Sequence, residues 1–381
     1  MVIDRVEPAS VATPASAWPT LLDAVTRDGG VRMHYQPIVD LTRGSVVGYE
    51  GLARFVPGTS TSPLPWFEAA RAHGRVAELE AAALRAAFAD RASLPANTFL
   101  TVNVGPDVLD HPEVRDALDG EGSLAGVVIE LTEHARVDSY LDLEPALNRL
   151  RSAGALLAID DAGAGYAGLQ HLLSIRPDII KLDRALVASV DRDEAKRALV
   201  EMLGTFASRV DAWVLAEGVE TLAELQTVAR LGVPLGQGYY LALPGEPWPE
   251  LDDSTAVHLR SFASRTDDST LRSLMENART AFNPSHAAEA FVQDDVDVVV
   301  ILDEHGRPVA TLDPEGLLHP VRDTSLQVNA DTPVAQAAHR ALTRPDGRRF
   351  HPMVCTDNAG RFVGLVRMER ILDFLAASTA G

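Results

Sequence analysis

Short β-rich hydrophobic runs alternate with longer Ala- and Leu-rich stretches of helical spacing between residues 31 and 244. This alternation is typical of parallel strands joined by crossover helices. Eight strands are predicted, at residues 33–39, 46–54, 99–104, 126–131, 156–160, 179–182, 213–216 and 238–241. Helices are predicted between them, at residues 78–91, 141–153, 192–209 and 221–231 among others. The strand count favours an α/β fold of the (β/α)8 TIM-barrel type over a doubly wound sheet.

An internal repeat follows the barrel pattern. Residues 299–312 align without gaps on residues 353–366, and each copy predicts a strand, an Asp–Gly turn and a second strand. Three prolines between residues 244 and 253 mark the exit from the barrel. We therefore predict two domains, a barrel at residues 15–248 and a module of two small α/β units at residues 265–381.

Charge and cysteine content limit the classes of ligand and the cellular compartment that we expect for the protein. The chain has 54 acidic and 34 basic residues, and its net charge of −20 argues against binding a nucleic-acid polymer. A small phosphorylated ligand stays compatible, because bound metal ions can reverse the sign of the field in one pocket. The single Cys355 indicates a reducing compartment. No apolar run reaches the ~20 residues of a membrane span, so we expect no membrane insertion and a cytoplasmic location.

Acidic and amide side chains recur at or just beyond the ends of the predicted strands. They are Glu50, Asn103, Glu130, Asp160, Asp161 and Glu217. In a barrel these strand ends converge on one face, where clustered carboxylates repel each other unless cations lie among them. Any one of these residues alone would be interpreted as an ordinary solvated side chain. Together they predict a site for a hard ion, Mg²⁺ or Mn²⁺, in preference to zinc.

Several strings resemble one known family. YQPIVDLTRGSVVGYEGLAR at residues 35–54 resembles the opening of EAL-domain cyclic di-GMP phosphodiesterases. The strings VNVGP, IELTE, DDAGAGYAGL, IKLDRALV, AEGVET and QGYYLALP follow in the order of that family, and the resemblance covers residues 15–245. It implies two-metal hydrolysis of one phosphodiester of cyclic di-GMP to linear 5′-pGpG.

The resemblance also implies residue roles. Two Mg²⁺ or Mn²⁺ ions per site are expected, the first held by Glu50, Asn103, Glu130 and Asp160, the second by Asp160, Asp161 and Glu217. The expected catalytic residues are Lys181, Glu217, Asp160 and Asp161. For Lys181 the alternative is a surface lysine paired with Asp183.

Further positions correspond to substrate and loop residues of the family. Those expected to bind substrate are Gln36, Leu52, Arg54 and Gln237. Glu133 corresponds to the anchor of the loop that follows the fifth strand. For Gln36 and Gln237 the alternative is a polar residue that satisfies strand-end backbone, and for Glu133 a solvated acid.

The chain departs from the family in that loop. Asp161-Ala162-Gly163 stands where the family usually has DFG, Ala164-Gly165-Tyr166 where it has TGY, and Tyr166-Ala167-Gly168 where it has YSS. The EAL string itself is Glu50-Gly51-Leu52. In the family this loop, which follows Asp161, positions the second metal and supports a homodimer. Ala162 and Ala164 replace an aromatic residue and a hydroxyl residue of the usual loop, so we expect weaker metal affinity or altered loop control.

The C-terminal repeats resemble a pair of CBS motifs, the second copy at residues 328–376 more clearly. This implies a regulatory module that binds an adenine nucleotide, with a purely structural or dimerising module as the alternative.

Two alternatives to the enzyme stay open. One is a receptor that binds cyclic di-GMP without cutting it and signals through the module, and the other is a barrel hydrolase with a different phosphoester substrate. Strings typical of zinc hydrolases (HExxH) and cyclic di-GMP synthases (GG(D/E)EF) are absent from the sequence.

Overall fold

The computed structural model of the chain describes residues 15–27, 30–55, 62–132, 143–160, 172–210, 212–263, 270–294, 296–314, 326–344 and 349–379. None of the helices in these ranges combines the length and the apolar character that crossing a bilayer requires.

Eight strands form a closed barrel in sequence order, which confirms the predicted fold class. They are β1 Val31–Asp40, β2 Ser45–Phe55, β3 Phe99–Val104, β4 Val127–Leu131, β5 Leu156–Ile159, β6 Ile179–Leu182, β7 Trp213–Ala216 and β8 Leu235–Gly236. The predicted position of the eighth strand, residues 238–241, was wrong. The amide groups of Leu241 and Ala242 both donate to the carbonyl of Gly238, so this β-rich run is a turn that follows a two-residue strand.

The first strand runs against its neighbours. β1 is antiparallel to both β2 and β8, whereas each strand from β2 to β8 is parallel to the next. Residues 41–44 join β1 to β2, and a link of this length closes a hairpin but is too short for a crossover helix. The predicted parallel arrangement therefore holds only from β2 onwards, and the beginning of β1 lies beside the ends of the other strands.

One apolar side chain from each strand fills the amino-end half of the barrel interior. These residues are Ile38, Val47, Phe99, Val128, Ala158, Ile179, Leu215 and Leu235. All eight are buried, so this apolar plug fills the barrel interior at this level, and the polar strand ends lie beyond it at the carboxyl end.

Eight helices surround the barrel in the described residues. They are α1 Trp18–Val25, α2 Leu64–Ala72, α3 Val76–Asp90, α4 Pro112–Asp119, α5 Glu144–Ser152, α6 Arg184–Val187, α7 Glu194–Arg209 and α8 Leu222–Arg230. Their apolar faces and the outward-facing strand residues form the largest hydrophobic cluster, which includes Leu84, Leu100 and Leu147. This burial stabilises the frame that holds the strand ends in place.

The C-terminal region contains two units of the same β-α-β-β order, preceded by α9 Asp253–Ala263. The first comprises β9 Arg279–Ala281, α10 Pro284–Asp294, β10 Val299–Leu302 and β11 Pro308–Leu312. The second comprises β12 Gln327–Asn329, α11 Val334–Leu342, β13 Met353–Thr356 and β14 Phe362–Val366, and is followed by α12 Met368–Thr379. In each unit the last two strands form a hairpin, as the repeat predicts. The first strand of each unit, which is parallel to the second, was not predicted.

The two hairpin turns have the same backbone. In each turn the N–H of the aspartate donates to the carbonyl of the arginine at 2.9 Å, from Asp303 to Arg307 and from Asp357 to Arg361. The glycine before each arginine has a positive φ, 76° in the first turn and 77° in the second. A side chain at either position would be strained, which explains why the repeat keeps glycine there.

The C-terminal units contact the amino end of the barrel. Arg43, in the β1–β2 turn, forms an ion pair of 2.6 Å with Asp331. The side chain of Asn358 donates to the carbonyl of Asn97, just before β3, at 2.9 Å. The Arg340 guanidinium lies 5.4 Å from the centre of the Trp213 ring at the start of β7. The module therefore covers the end of the barrel opposite the strand ends singled out from the sequence.

Candidate active site

A cavity of about 310 Å³ opens at the carboxyl end of the barrel. Eight of the residues singled out from the sequence line it, namely Gln36, Glu50, Asn103, Glu130, Asp160, Lys181, Glu217 and Gln237. They come from all eight strands or the residues directly after them.

Strand alternation explains this convergence. Inward-facing residues on a strand are two positions apart, so on β4 to β8 the residue two places beyond the plug residue also faces inward, nearer the carboxyl end. Counting on from Val128, Ala158, Ile179, Leu215 and Leu235 in this way gives Glu130, Asp160, Lys181, Glu217 and Gln237. On the reversed strand β1 the count runs backwards, from Ile38 to Gln36. The apolar plug and the polar site are thus successive layers of one barrel interior.

Lys181 is the centre of the cluster. Its ammonium donates to Glu130, lies 2.5 Å from Glu217 Oε1, and is 3.7 Å from Glu50 Oε1 and 3.9 Å from Asp160 Oδ1. Its side chain is only 2% exposed. Lys181 is therefore not the surface lysine of the alternative interpretation, and Asp183 instead accepts a hydrogen bond from the amide of Ala185 at the start of α6.

Burial and charge determine the protonation of the cluster. Burial alone would lower the pKa of Lys181, but the four surrounding carboxylates outweigh it and raise the pKa well above its ordinary value. Burial raises the pKa of Glu217 to about 7 although Lys181 acts against this. Burial likewise raises the pKa of Glu130, again against the effect of Lys181. The lysine thus stays charged, whereas Glu130 and Glu217 resist losing their protons unless further cations enter the cluster.

Amide side chains orient Glu50. Gln237 donates to Glu50 Oε2 at 2.5 Å and to Gln36 Oε1 at 2.9 Å, and Asn103 donates to Glu50 Oε1 at 3.1 Å. Gln36 in turn donates to the carbonyl of Ala242. Burial would raise the pKa of Glu50, but Lys181 and these amide donors outweigh it, so the pKa is lowered. Glu50 is therefore an ionised carboxylate in a fixed orientation.

The oxygens of the cluster fit a divalent ion. One oxygen each from Glu130, Asp160 and Glu217 lies within 4.8 Å of the others. The second oxygen of Glu130, Oε2, is buried and has no hydrogen-bond partner among the described residues. Two carboxylates about 4 Å apart repel by roughly 4 kcal/mol at an effective dielectric near 20, so additional cations would stabilise the cluster. Oxygen donors of this kind suit Mg²⁺, Mn²⁺ or Ca²⁺.

The remaining predicted residues lie elsewhere. Leu52 lines a neighbouring, largely apolar cavity of about 260 Å³ between β2, β3 and the helices α2 and α3, and this cavity shares Asn103 with the acidic one. Arg54, further along β2, donates to the carbonyl of Ala53 and does not line the acidic cavity. Asp161, Glu133 and the altered loop at residues 162–168 lie outside the described residues.

Two residues beside the site were not predicted from the sequence. Arg184 lines the acidic cavity and donates at 2.8 Å both to the carbonyl of Gly218, next to Glu217, and to the carboxylate of Glu220. Arg184 lies two residues after the end of β6, and this position at a strand end is a signal from which it could have been predicted. Glu80, on α3, does not line the acidic cavity. Its side chain accepts a hydrogen bond from the amide of Gly105, just after β3. No local sequence pattern indicates that contact.

Comparison with known proteins identifies both regions. Residues 19–244 match the EAL domain, and residues 319–377 match the CBS domain. The chain is similar to the cyclic di-GMP phosphodiesterase NbdA of Pseudomonas aeruginosa, with 32% identity over 230 residues that make up 57% of this chain and 29% of that protein. It is also similar to the probable cyclic di-GMP phosphodiesterase PdeB of Escherichia coli, with 30% identity over 239 residues, 59% of this chain and 45% of that protein.

A solved structure extends the comparison. The manganese and cyclic di-GMP complex of Klebsiella pneumoniae BlrP1 is 33% identical, with a TM-score of 0.52, over 58% of this chain and 57% of that chain. The present chain spans less than half the length of the two curated relatives. Because the EAL match covers more than half of its residues, the protein belongs to the EAL domain family and carries a C-terminal CBS domain.

Proposed function

We propose that this chain is a cyclic di-GMP phosphodiesterase, which hydrolyses one phosphodiester of cyclic di-GMP and releases linear 5′-pGpG. The observation that carries the proposal is the buried Lys181 ammonium among four carboxylates at the carboxyl end of the barrel. The names of NbdA and PdeB and the ligand of BlrP1 support cyclic di-GMP as the substrate.

Two Mg²⁺ or Mn²⁺ ions are part of this proposal. The residues that would hold one ion are Glu50, Asn103, Glu130 and Asp160, and those that would hold the other are Asp160, Asp161 and Glu217. Glu130 Oε2, which has no hydrogen-bond partner among the described residues, and the grouping of four carboxylates around one lysine support this set. When bound, the ions would make water a stronger nucleophile and neutralise charge on the phosphoryl oxygens.

The side chains around the ions have distinct proposed roles. Lys181 orients Glu130 and Glu217 by donating to both, and supplies a fixed positive charge for the developing charge of the reacting phosphate. Gln237 fixes Glu50 through its hydrogen bond of 2.5 Å. These contacts preorganise the carboxylates, so little rearrangement is needed when the substrate binds.

Substrate contacts are proposed for Gln36, Gln237, Leu52 and Arg54. The two glutamines line the acidic cavity, where their amides can contact a phosphodiester. Leu52 lines the neighbouring apolar cavity, which suits the face of a guanine base. One N–H group of the Arg54 guanidinium donates to the carbonyl of Ala53, and its other N–H groups could donate to a phosphate oxygen.

Regulation by the C-terminal module is a further part of the proposal. The module would occupy residues 265–381 and the barrel residues 15–248. It contacts the end of the barrel opposite the acidic cavity, so a ligand of the module, such as an adenine nucleotide, would act through the strands and not by covering the site. A homodimer and a cytoplasmic location stay predictions from the sequence.

The proposed reaction is tested by incubating the purified full chain with cyclic di-GMP and Mn²⁺ and separating the products by chromatography. We expect linear 5′-pGpG. Binding of cyclic di-GMP without any product would instead support a receptor. Hydrolysis of other phosphoesters, with cyclic di-GMP left intact, would support a barrel hydrolase of different specificity.

The regulatory proposal is tested with the same assay in the presence and absence of ATP and AMP. A change in turnover of about five-fold or more would correspond to a coupling free energy of about 1 kcal/mol. Unchanged turnover, together with no binding of either nucleotide by calorimetry, would leave the module a structural role.

A further inference from the structure

A buried carboxylate lies outside the acidic cavity and takes no part in the mechanism described above. Glu80, on the inner face of α3, is only 8% exposed. Burial raises the pKa of Glu80 to about 7, the hydrogen bond from Gly105 opposes this rise, Asp107 adds to it and Arg71 acts against it. Keeping an acid in such a place costs stability, so its position calls for an explanation.

The contact that Glu80 makes is with the chain segment that leaves β3. Its Oε2 accepts a hydrogen bond of 2.9 Å from the backbone N–H of Gly105, and the bond is buried. Gly105 stands two residues after Asn103. A methyl group added at Gly105 would come within 2.8 Å of both Glu80 Oε1 and Asp107 Oδ1. The turn after β3 therefore lies close against two carboxylates, which would have to shift if a methyl group were added at Gly105.

The geometry of this turn bears directly on the site. Asn103 donates to Glu50 Oε1 at 3.1 Å, so the direction of its side chain depends on where β3 ends. Glu80, Asn103 and Gly105 all line the same cavity of about 260 Å³. The hydrogen bond from the Gly105 N–H to Glu80 therefore links α3 to the chain directly after the strand that carries Asn103.

We propose that Glu80 is a positioning residue: it holds the turn after β3 so that Asn103 faces Glu50 and the metal ions. The proposal rests on the proposed function only in assigning Asn103 to the metal site. Groups that orient metal ligands from behind commonly change metal affinity or activity by about 10- to 100-fold when they are removed.

Two substitutions separate this role from simple packing. Glu80→Met keeps the length of the side chain but leaves the Gly105 N–H without an acceptor. Glu80→Gln keeps an acceptor oxygen. Direct calorimetric titration of the full chain with Mn²⁺ should give a Kd about tenfold or more higher for Glu80→Met, and within about twofold of wild type for Glu80→Gln. Glu78→Gln is the matched control and should leave the Kd unchanged, because Glu78 lies on the same helix but pairs with Arg75 and not with the turn after β3.

Turnover provides a second readout. In Glu80→Met we expect kcat to fall with Mn²⁺ binding while the KM for cyclic di-GMP stays within about twofold, and Glu80→Gln should restore kcat. If Glu80→Met does not fold, Gly105→Ala carries the test, because its methyl group displaces the same contact.

The proposal is overturned if folded Glu80→Met or Gly105→Ala binds Mn²⁺ as wild type does. It is equally overturned if Glu80→Gln loses as much Mn²⁺ affinity as Glu80→Met. Mn²⁺ binding is measured without substrate, so a chain that binds Mn²⁺ but fails to hydrolyse cyclic di-GMP would refute the proposed function and leave this inference standing.

Discussion

The two ends of the barrel use the same strands in opposite ways. At the carboxyl end, four carboxylates surround one buried lysine, and a buried oxygen of Glu130 has no partner among the described residues. At the amino end, charged groups are matched: Arg43 pairs with Asp331, and the Arg307 guanidinium donates to the carbonyls of Arg151 and Gly154. An unbalanced cluster costs stability and indicates a site that binds something, whereas a balanced interface indicates attachment.

At the amino end, the two hairpin turns of the module also differ from each other. The two hairpin turns of the module share one backbone, yet their arginines differ in their surroundings. Arg307 is 13% exposed and contacts three carbonyls at the end of α5 and the start of β5, whereas the residue Arg361 is exposed and no hydrogen bond of its side chain is found among the described residues. Sequence symmetry thus conceals a difference that only the docked position of each turn creates.

The largest effect is expected at the carboxyl end. Lys181→Ala should lower the rate of cyclic di-GMP hydrolysis by at least about 100-fold, because it removes the buried cation that four carboxylates surround. Product formation measured by chromatography checks this. Lys196→Ala is the control, since the ammonium of Lys196 contacts the carbonyl of Ala188 away from the site, and its activity should match wild type. Full activity in Lys181→Ala would contradict the proposed role.

Replacing the metal ion is the next test of that end. Ca²⁺ can occupy oxygen ligands but prefers longer bonds and a higher coordination number than Mg²⁺ or Mn²⁺. We expect hydrolysis in Ca²⁺ to be at least about tenfold slower than in Mn²⁺, with cyclic di-GMP still bound. Equal rates with the two ions would argue against a two-metal mechanism.

The amino end should respond in stability and not in chemistry. Arg307→Ala removes hydrogen bonds of a largely buried guanidinium to three carbonyls, and we expect a loss of about 2–3 kcal/mol in the free energy of unfolding. Arg361→Ala is the matched control and should change it by less than about 0.5 kcal/mol. Urea unfolding of both variants measures the difference, and equal effects would remove the distinction between the two turns.

The smallest effect is a pH dependence carried by Glu80. Its pKa is about 7 in the folded chain and about 4.5 unfolded, so between these values the folded chain binds more protons. Stability therefore falls as pH rises through this range. Glu80→Gln lacks the titrating group, so its stability relative to wild type should increase by roughly 2 kcal/mol from pH 5 to pH 8. Urea unfolding at the two pH values tests this, and a constant difference would show that Glu80 does not titrate in this range.

Local pattern made most of the barrel predictable. Seven strands overlap their predicted positions, because each is a short hydrophobic run bounded by polar or glycine-containing segments. The eighth strand was misplaced because the run at residues 238–241 is as β-rich as a strand. A side chain at Gly238 would come within 2.2 Å of the backbone of Val219. Because residues 238–241 pack this closely against another segment, they form a turn and not a strand.

The sequence by itself determined which residues end the strands and which hairpins repeat, since alternation with a period of two is a property of the chain. It could not determine that β1 is reversed and brings Gln36 to the site, that Lys181 lies among four carboxylates, or that Glu80 reaches Gly105. Only closure of the barrel decided these, because they join residues 25 to more than 200 positions apart, and such contacts depend on how the strands and helices pack in three dimensions.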